Sequence, residues 1–173
     1  TIHISEGVTS IEDYAFYLCC SLNSVTLPST VTAIGENVFA ECPFLETITS
    51  DSEIFPVKDN VLYEKSQNGD YTLLRYPSRK ANHTKIDSTS EIFDEVTKIG
   101  SSAFDFCVFL ESVKIPSSVV SIGRMAFMGC VSLQYIELSN NIKELPESLF
   151  AGCTNLKNID IPDGVTQILE FTF

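Results

Sequence analysis

The chain has 173 residues, 44% of them hydrophobic and 20% charged, a globular balance that argues against disorder and fits one large domain or one continuous repeat array. Its net charge of −12 excludes nucleic acid as a partner class, because phosphate binding needs clustered Lys and Arg, and it disfavours docking on an anionic membrane. No apolar run reaches the roughly 18 residues of a spanning helix, so no membrane insertion is expected.

Ile2 and Ile4 stand where Val25 and Leu27 stand later, so the sequence opens in mid-repeat, and it closes in mid-repeat at Phe173. The expectation is a piece of a longer array whose targeting signals lie outside it. From Val8 to Leu27 the apolar skeleton is Val8, Ile11, Ala15, Phe16, Cys19, Leu22, Val25 and Leu27. Pro28 then ends the strand, as a residue that cannot donate to a ladder should. The same set returns as Val31, Ile34, Gly35, Val38, Phe39, Cys42, Leu45 and Ile48.

From Asp51 to Glu95 the period is lost. The β-rich runs Val61-Leu62-Tyr63 and Tyr71 to Tyr76 flank Asn68-Gly69-Asp70, which predicts a hairpin with a loop longer than two residues. Residues 77–85 read as a polar loop, and Ile86 restarts a strand, with Asp87 where a proline stands in other repeats. This block is too short for a core of its own and is expected to fill a repeat or two of the array.

The pattern resumes with Val96, Ile99, Gly100, Ala103, Phe104, Cys107, Leu110, Val113 and Ile115. It recurs from Val119 to Leu138, then as Ile142, Leu145, Leu149, Phe150, Cys153, Leu156, Ile159 and Ile161, and finally as Val165, Ile168 and Phe173. Phe104, Phe127, Phe150 and Phe173 are each 23 residues from the next. One apolar set per fixed period of roughly 20–29 residues predicts a right-handed leucine-rich repeat solenoid. Residues 1–173 form a single repeat domain in this reading: repeats over 1–50 and 96–173, an inserted hairpin and irregular repeat over 51–95. Each coil should carry a short parallel strand and, at Ala126-Phe127 and its equivalents, one helical or 3₁₀ turn. Phenylalanines, cysteines and leucines then stack as internal ladders at the ~4.8 Å strand spacing.

The pattern in LESVKIP (110–116) and VVSIGRMAFMGC (119–130) resembles the BspA-like, or treponemal-class, leucine-rich repeats. The inserted stretch also resembles the hairpin these proteins often carry, with FPVKDNVLY (55–63) and TLLRYPSRK (72–80) as its arms. The chain departs from the family pattern at Ser139 and Asp87, where proline is usual, and at Val38, Leu149 and Thr172 in the alanine slot. The resemblance implies a cell-surface or secreted protein of anaerobic bacteria or some parasitic protists, non-enzymatic and without cofactor. It also implies adhesion to an extracellular-matrix or plasma protein, or to neighbouring cells. The alternative is a structural spacer with no ligand of its own.

Six cysteines would suggest three disulfides in a secreted protein. Five of them, Cys19, Cys42, Cys107, Cys130 and Cys153, share one ladder slot, where parallel side chains hold Cβ atoms farther apart than the roughly 3.5–4.5 Å of a disulfide. They are expected as free, packed thiols, with Cys20, outside that slot, as a partly exposed thiol. Cys-x-x-Cys is absent and His3 and His83 are far apart in sequence, so neither a metal site nor a catalytic triad is expected. Asn82-His83-Thr84 is a glycosylation sequon.

Two features remain as candidates for binding a protein. One is the outward strand face, with Thr26, Thr49, Lys114, Tyr135, Glu137 and Asp160. The other is the hairpin, whose Tyr63, Tyr71 and Tyr76 are expected as exposed aromatic anchors.

Overall fold

The computed structural model describes residues 1–80 and 84–173, so the sequon's Asn82 and His83 lie outside the described residues. It is a β-solenoid of about 7 coils with almost no helix. Two strand faces and one turn face enclose the core. The strand after each repeat leucine makes the first face, as Ile2–His3, Ser24–Leu27 and Thr47–Ser50 in one sheet and Lys85–Ile86, Ser112–Lys114 and Tyr135–Glu137 in another. All these pairs are parallel and 23 residues out of step, Ile2 opposite Val25 and Val113 opposite Ile136, except where Ser112 meets Lys85 across the irregular region. Strands ending at the repeat isoleucine, such as Ser10–Ile11 with Ala33–Ile34 and Val96–Ile99 with Ser121–Ile122, make the second face.

The turn face differs from a helical turn. Alternate N–H groups point along the stack and bond to the following coil: Ser102 to Arg124, Phe104 to Ala126 and Phe106 to Met128, at 2.7–3.0 Å. The intervening groups close three-residue-back turns, such as Ala103 to Gly100 and Asp105 to Ser102. A helix would spend every N–H within its own coil, leaving none for the neighbour. Alternation instead puts Ser102, Met125 and Ser148, and their equivalents Tyr14, Asn37 and Phe171, at φ between 55 and 59°. Among the described residues the one regular helix is the 3₁₀ turn Glu91–Phe93.

Inside, phenylalanine rings stack from coil to coil: Phe16 on Phe39 at 5.5 Å, Phe104 on Phe127 at 4.9 Å, and Phe127 on Phe150 at 5.9 Å. All six cysteines are free. The Cys42, Cys130 and Cys153 thiols donate to the carbonyls of Phe16, Phe104 and Phe127 in the preceding coil, at 3.0–3.1 Å. The slot thus takes a small apolar group with one weak donor, which is a cysteine. Cys20 is exposed.

Two of the departures from the repeat have a visible replacement. Asp87 replaces proline by accepting from the Thr89 N–H and hydroxyl through its carboxylate, contacts that hold its pKa below the usual carboxylate range. Thr172, in the alanine slot, donates its hydroxyl to the Leu169 carbonyl at 2.7 Å.

Glycine after the repeat isoleucine is required where coils come closest. A Cβ on Gly123 would lie 2.4 Å from the Ser101 nitrogen and 2.7 Å from the Gly100 carbonyl carbon, both backbone. Gly123→Ala is therefore expected to cost about 1–3 kcal/mol of stability by overpacking, seen as a lower urea midpoint at unchanged m-value.

The inserted stretch is built into the stack. Val57–Lys58 turns back on Val61–Lys65 through Asp59-Asn60, both at positive φ, which is the two-residue primed turn that matches strand twist. Val61–Lys65 then pairs antiparallel with Tyr71–Arg75, and Tyr71–Arg75 pairs parallel with Val96–Ile99, completing a five-stranded sheet. Leu62 packs into the core of residues 11–62, whereas Val61 and Tyr63 pack into the core that runs on to Cys153. One strand therefore seals two solenoid blocks, facing one with each side.

This overturns the expectation of exposed hairpin tyrosines. Tyr63, Tyr71 and Tyr76 are buried, at 2%, 8% and 2% exposure. Tyr63 donates its hydroxyl to the Ile92 carbonyl, and Tyr76 has taken a phenylalanine slot. Its ring stacks on Phe104 at 5.1 Å, its N–H bonds to Ala103 as Phe104 does to Ala126, and its carbonyl accepts from the Cys107 thiol. Burial pushes the Tyr63 and Tyr76 hydroxyls well above their ordinary pKa.

Candidate functional site

In the strands Ser24–Leu27, Thr47–Ser50, Ser112–Lys114 and Tyr135–Glu137 the second residue is buried and the third points away from the core by simple alternation, and the register lines the outward residues up. Thr26 stands opposite Thr49, with their hydroxyls 3.0 Å apart. Lys114 stands opposite Glu137 and Glu137 opposite Asp160. The six candidate residues therefore fall into two groups, because the sheet through Thr49 does not continue into the sheet that begins at Lys85.

The second group is the richer in chemistry. Lys114 Nζ lies 2.9 Å from Glu137 Oε1, and that hydrogen bond and charge raise the lysine's pKa. Tyr135, two residues before Glu137 on the same side, donates its hydroxyl to Glu137 Oε2 at 3.3 Å and is 51% exposed. Partial desolvation and the Glu137 charge raise the Tyr135 pKa. Asp160 continues the row beyond Glu137. The result is a flat patch carrying one cation, two carboxylates and a half-exposed aromatic ring. Ion pairs around an exposed aromatic ring are chemistry that can recognise a macromolecule.

No nucleophile–base–orienter arrangement is built on this face, and among the described residues no three His, Cys, Asp or Glu side chains converge as metal ligands. Among the described residues no helix is long and apolar enough to cross a membrane.

Sequence reasoning missed a different set of residues, those that close the exposed end of the Phe39 coil. Between the first coils Glu46 N–H donates to the Asn23 carbonyl. At the next step no coil follows in register, and the Asn60 side-chain amide takes over, donating to the Glu46 carbonyl and accepting from Ile48 N–H. On the turn face Leu18 N–H donates to the Ala40 carbonyl, and the equivalent Glu41 N–H donates to Asp105 Oδ2 at 2.6 Å. Asp105 also grips the buried Arg75 guanidinium. The Asp59-Asn60 pair flanked by Val57 and Val61 carried the signal for the tight turn, but nothing local marks Asp105.

A family model described as the BspA type leucine rich repeat region matches in 6 copies over residues 1–90 and 79–173. The chain belongs to this family. Its structure is similar to that of a leucine rich cell surface protein from Faecalibacterium prausnitzii, with 49% identity, a TM-score of 0.86, and coverage of 99% of this chain and 50% of that one. It is also similar to the pneumococcal vaccine antigen PcpA, with 25% identity, a TM-score of 0.80, and coverage of 93% of this chain and 38% of that one. A leucine-rich repeat protein from Bacteroides capillosus shares 35% identity over 67% of this chain and 88% of its own, with a TM-score of 0.58. No curated protein matches the chain. The chain thus spans half or less of the first two relatives. BspA type repeats are a scaffold of the protein-interaction type.

Proposed function

We propose that this BspA type repeat region acts as a non-enzymatic protein-binding module of a cell-surface or secreted protein, in adhesion to an extracellular-matrix or plasma protein or to a neighbouring cell. The observation that carries this reading is the Lys114–Glu137–Tyr135 cluster with Asp160 beside it. An aromatic ring half out of water, its hydroxyl held by Glu137 on a parallel sheet, is a preorganised anchor for a protein partner. Thr26 and Thr49 form a smaller polar patch of the same face and belong to the proposed surface. The Faecalibacterium protein's description as a cell surface protein supports the location.

The test is surface plasmon resonance of the purified protein over immobilised matrix and plasma proteins, alongside Tyr135→Ala and Asp160→Lys. Micromolar or tighter binding is expected, weakened about tenfold or more by Tyr135→Ala, the range of a hot-spot truncation. A protein that binds none of them at micromolar concentration would sink the adhesion reading and leave the spacer role.

A further inference from the structure

The open end of the Phe39 coil has three faces, and only two are closed. Asn60 caps the first strand face and Asp105 the turn face, each reproducing hydrogen bonds that a following coil would make. On the second strand face, Thr9 O accepts from Thr32 and Ala33 and Ile11 O accepts from Gly35. One coil on, Thr32 O and Ile34 O are the equivalent acceptors, and among the described residues no donor reaches either. Ile34, at the end of this edge, borders a cleft of about 510 Å³ between the two solenoid blocks, within the roughly 300–1,000 Å³ of ligand clefts. The segment from Ile34 to Ala40 forms one wall of the cleft. Its floor is the outer face of the inserted sheet, where Glu64, Thr72 and Lys98 are exposed or half-buried.

We propose that this cleft binds an extended, Lys- or Arg-bearing segment of a partner protein, added as a strand on the Ala33–Ile34 edge. The edge dictates a polypeptide: two carbonyls two residues apart on a strand are met by backbone N–H groups at the same spacing, the arrangement of strand addition. Charge dictates its character. Asp13, Glu36 and Glu64 line the cleft against Lys98, Arg124 at the rim is held by the Tyr14 hydroxyl and stands 4.0 Å from Glu36, and the whole chain carries −12. Buried Arg75 is neutralised by Asp105. The site is separate from the Tyr135 face, and the two stand or fall independently.

Fluorescence anisotropy with a labelled peptide of alternating Lys and Val tests it. Saturable binding is expected, weakened about tenfold when every backbone amide of the peptide is N-methylated, which removes the donors, and by a similar factor when Glu replaces Lys. Glu64→Lys, an exposed position, should weaken the Lys peptide about tenfold, and Tyr135→Ala should leave it unchanged. No saturation by millimolar peptide, equal binding of the N-methylated peptide, or indifference to Glu64→Lys overturns the proposal. So does a self-association of the protein alone that Glu64→Lys abolishes, since the occupant would then be a second copy.

Discussion

Asp105→Ala is expected to destabilise the protein by about 3–5 kcal/mol, the loss that follows when one partner of a buried ion pair is removed. Asp105 and Arg75 are 0% and 2% exposed. Burial alone lowers the pKa of the Arg75 guanidinium, and the carboxylate in contact with it keeps the charge in place. The guanidinium also donates to the Ser102 carbonyl at 2.7 Å and the Ser78 hydroxyl at 2.6 Å, and Ser78 passes a bond on to the Cys42 carbonyl at 3.1 Å. Alanine would strand this cation in the seam and at the same time orphan the Glu41 N–H. The double variant Arg75→Met, Asp105→Asn should recover most of the loss, because no charge remains buried and the amide oxygen can still accept from Glu41. Urea unfolding measures the difference. Hydrogen exchange should place the weakening in residues 11–48, whose coils the pair closes, and a loss under about 1 kcal/mol would show that the seam holds without it.

The cleft and the seal have one origin, the loss of period at Asp51, and this is also where sequence reading stopped being sufficient. Where the period of 23 holds, a residue's offset gives its slot. Val113, Ile136 and Cys130 could be placed inside, and Tyr135 and Glu137 outside, from alternation and repetition alone. In the insert the offsets are different. Tyr76 stands 28 residues before Phe104, and only three residues separate Leu73 from Tyr76, where five separate its partner Ile99 from Phe104. A tyrosine near a polar loop therefore read as an exposed anchor. Nothing in the sequence marks Arg75 as buried either, since arginine is almost never buried unless paired, and its partner lies 30 residues away. The outward face was legible residue by residue, but its division into a Thr26–Thr49 group and a Lys114–Asp160 group was not. That division depends on which strands the insert leaves unpaired.

Phe104→Ala tests how far the insert has been absorbed into the ladder. Phe104 is fully buried, with Tyr76 stacked on one side at 5.1 Å and Phe127 on the other at 4.9 Å. Removing its ring is expected to cost about 3–5 kcal/mol, the lost transfer free energy plus the cavity left between two rings that cannot close the gap. Phe150→Ala is the comparison within the regular stack. If Tyr76 is a working member of the ladder, Phe104 should cost at least as much as Phe150, whose neighbours Phe127 and Phe173 stand at 5.9 and 5.8 Å and whose outer neighbour Phe173 is 59% exposed. Tyr76→Phe separates ring from hydroxyl. The hydroxyl is buried without a hydrogen-bond partner among the described residues, so deleting it should be neutral or stabilising by up to about 1–3 kcal/mol, the desolvation penalty of an unmet polar group. Tyr63→Phe should instead destabilise, because its hydroxyl serves the Ile92 carbonyl. A Tyr76→Phe variant less stable than the parent would mean that this hydroxyl holds the loop after Arg75, and that Tyr76 fills the slot for its oxygen rather than its ring.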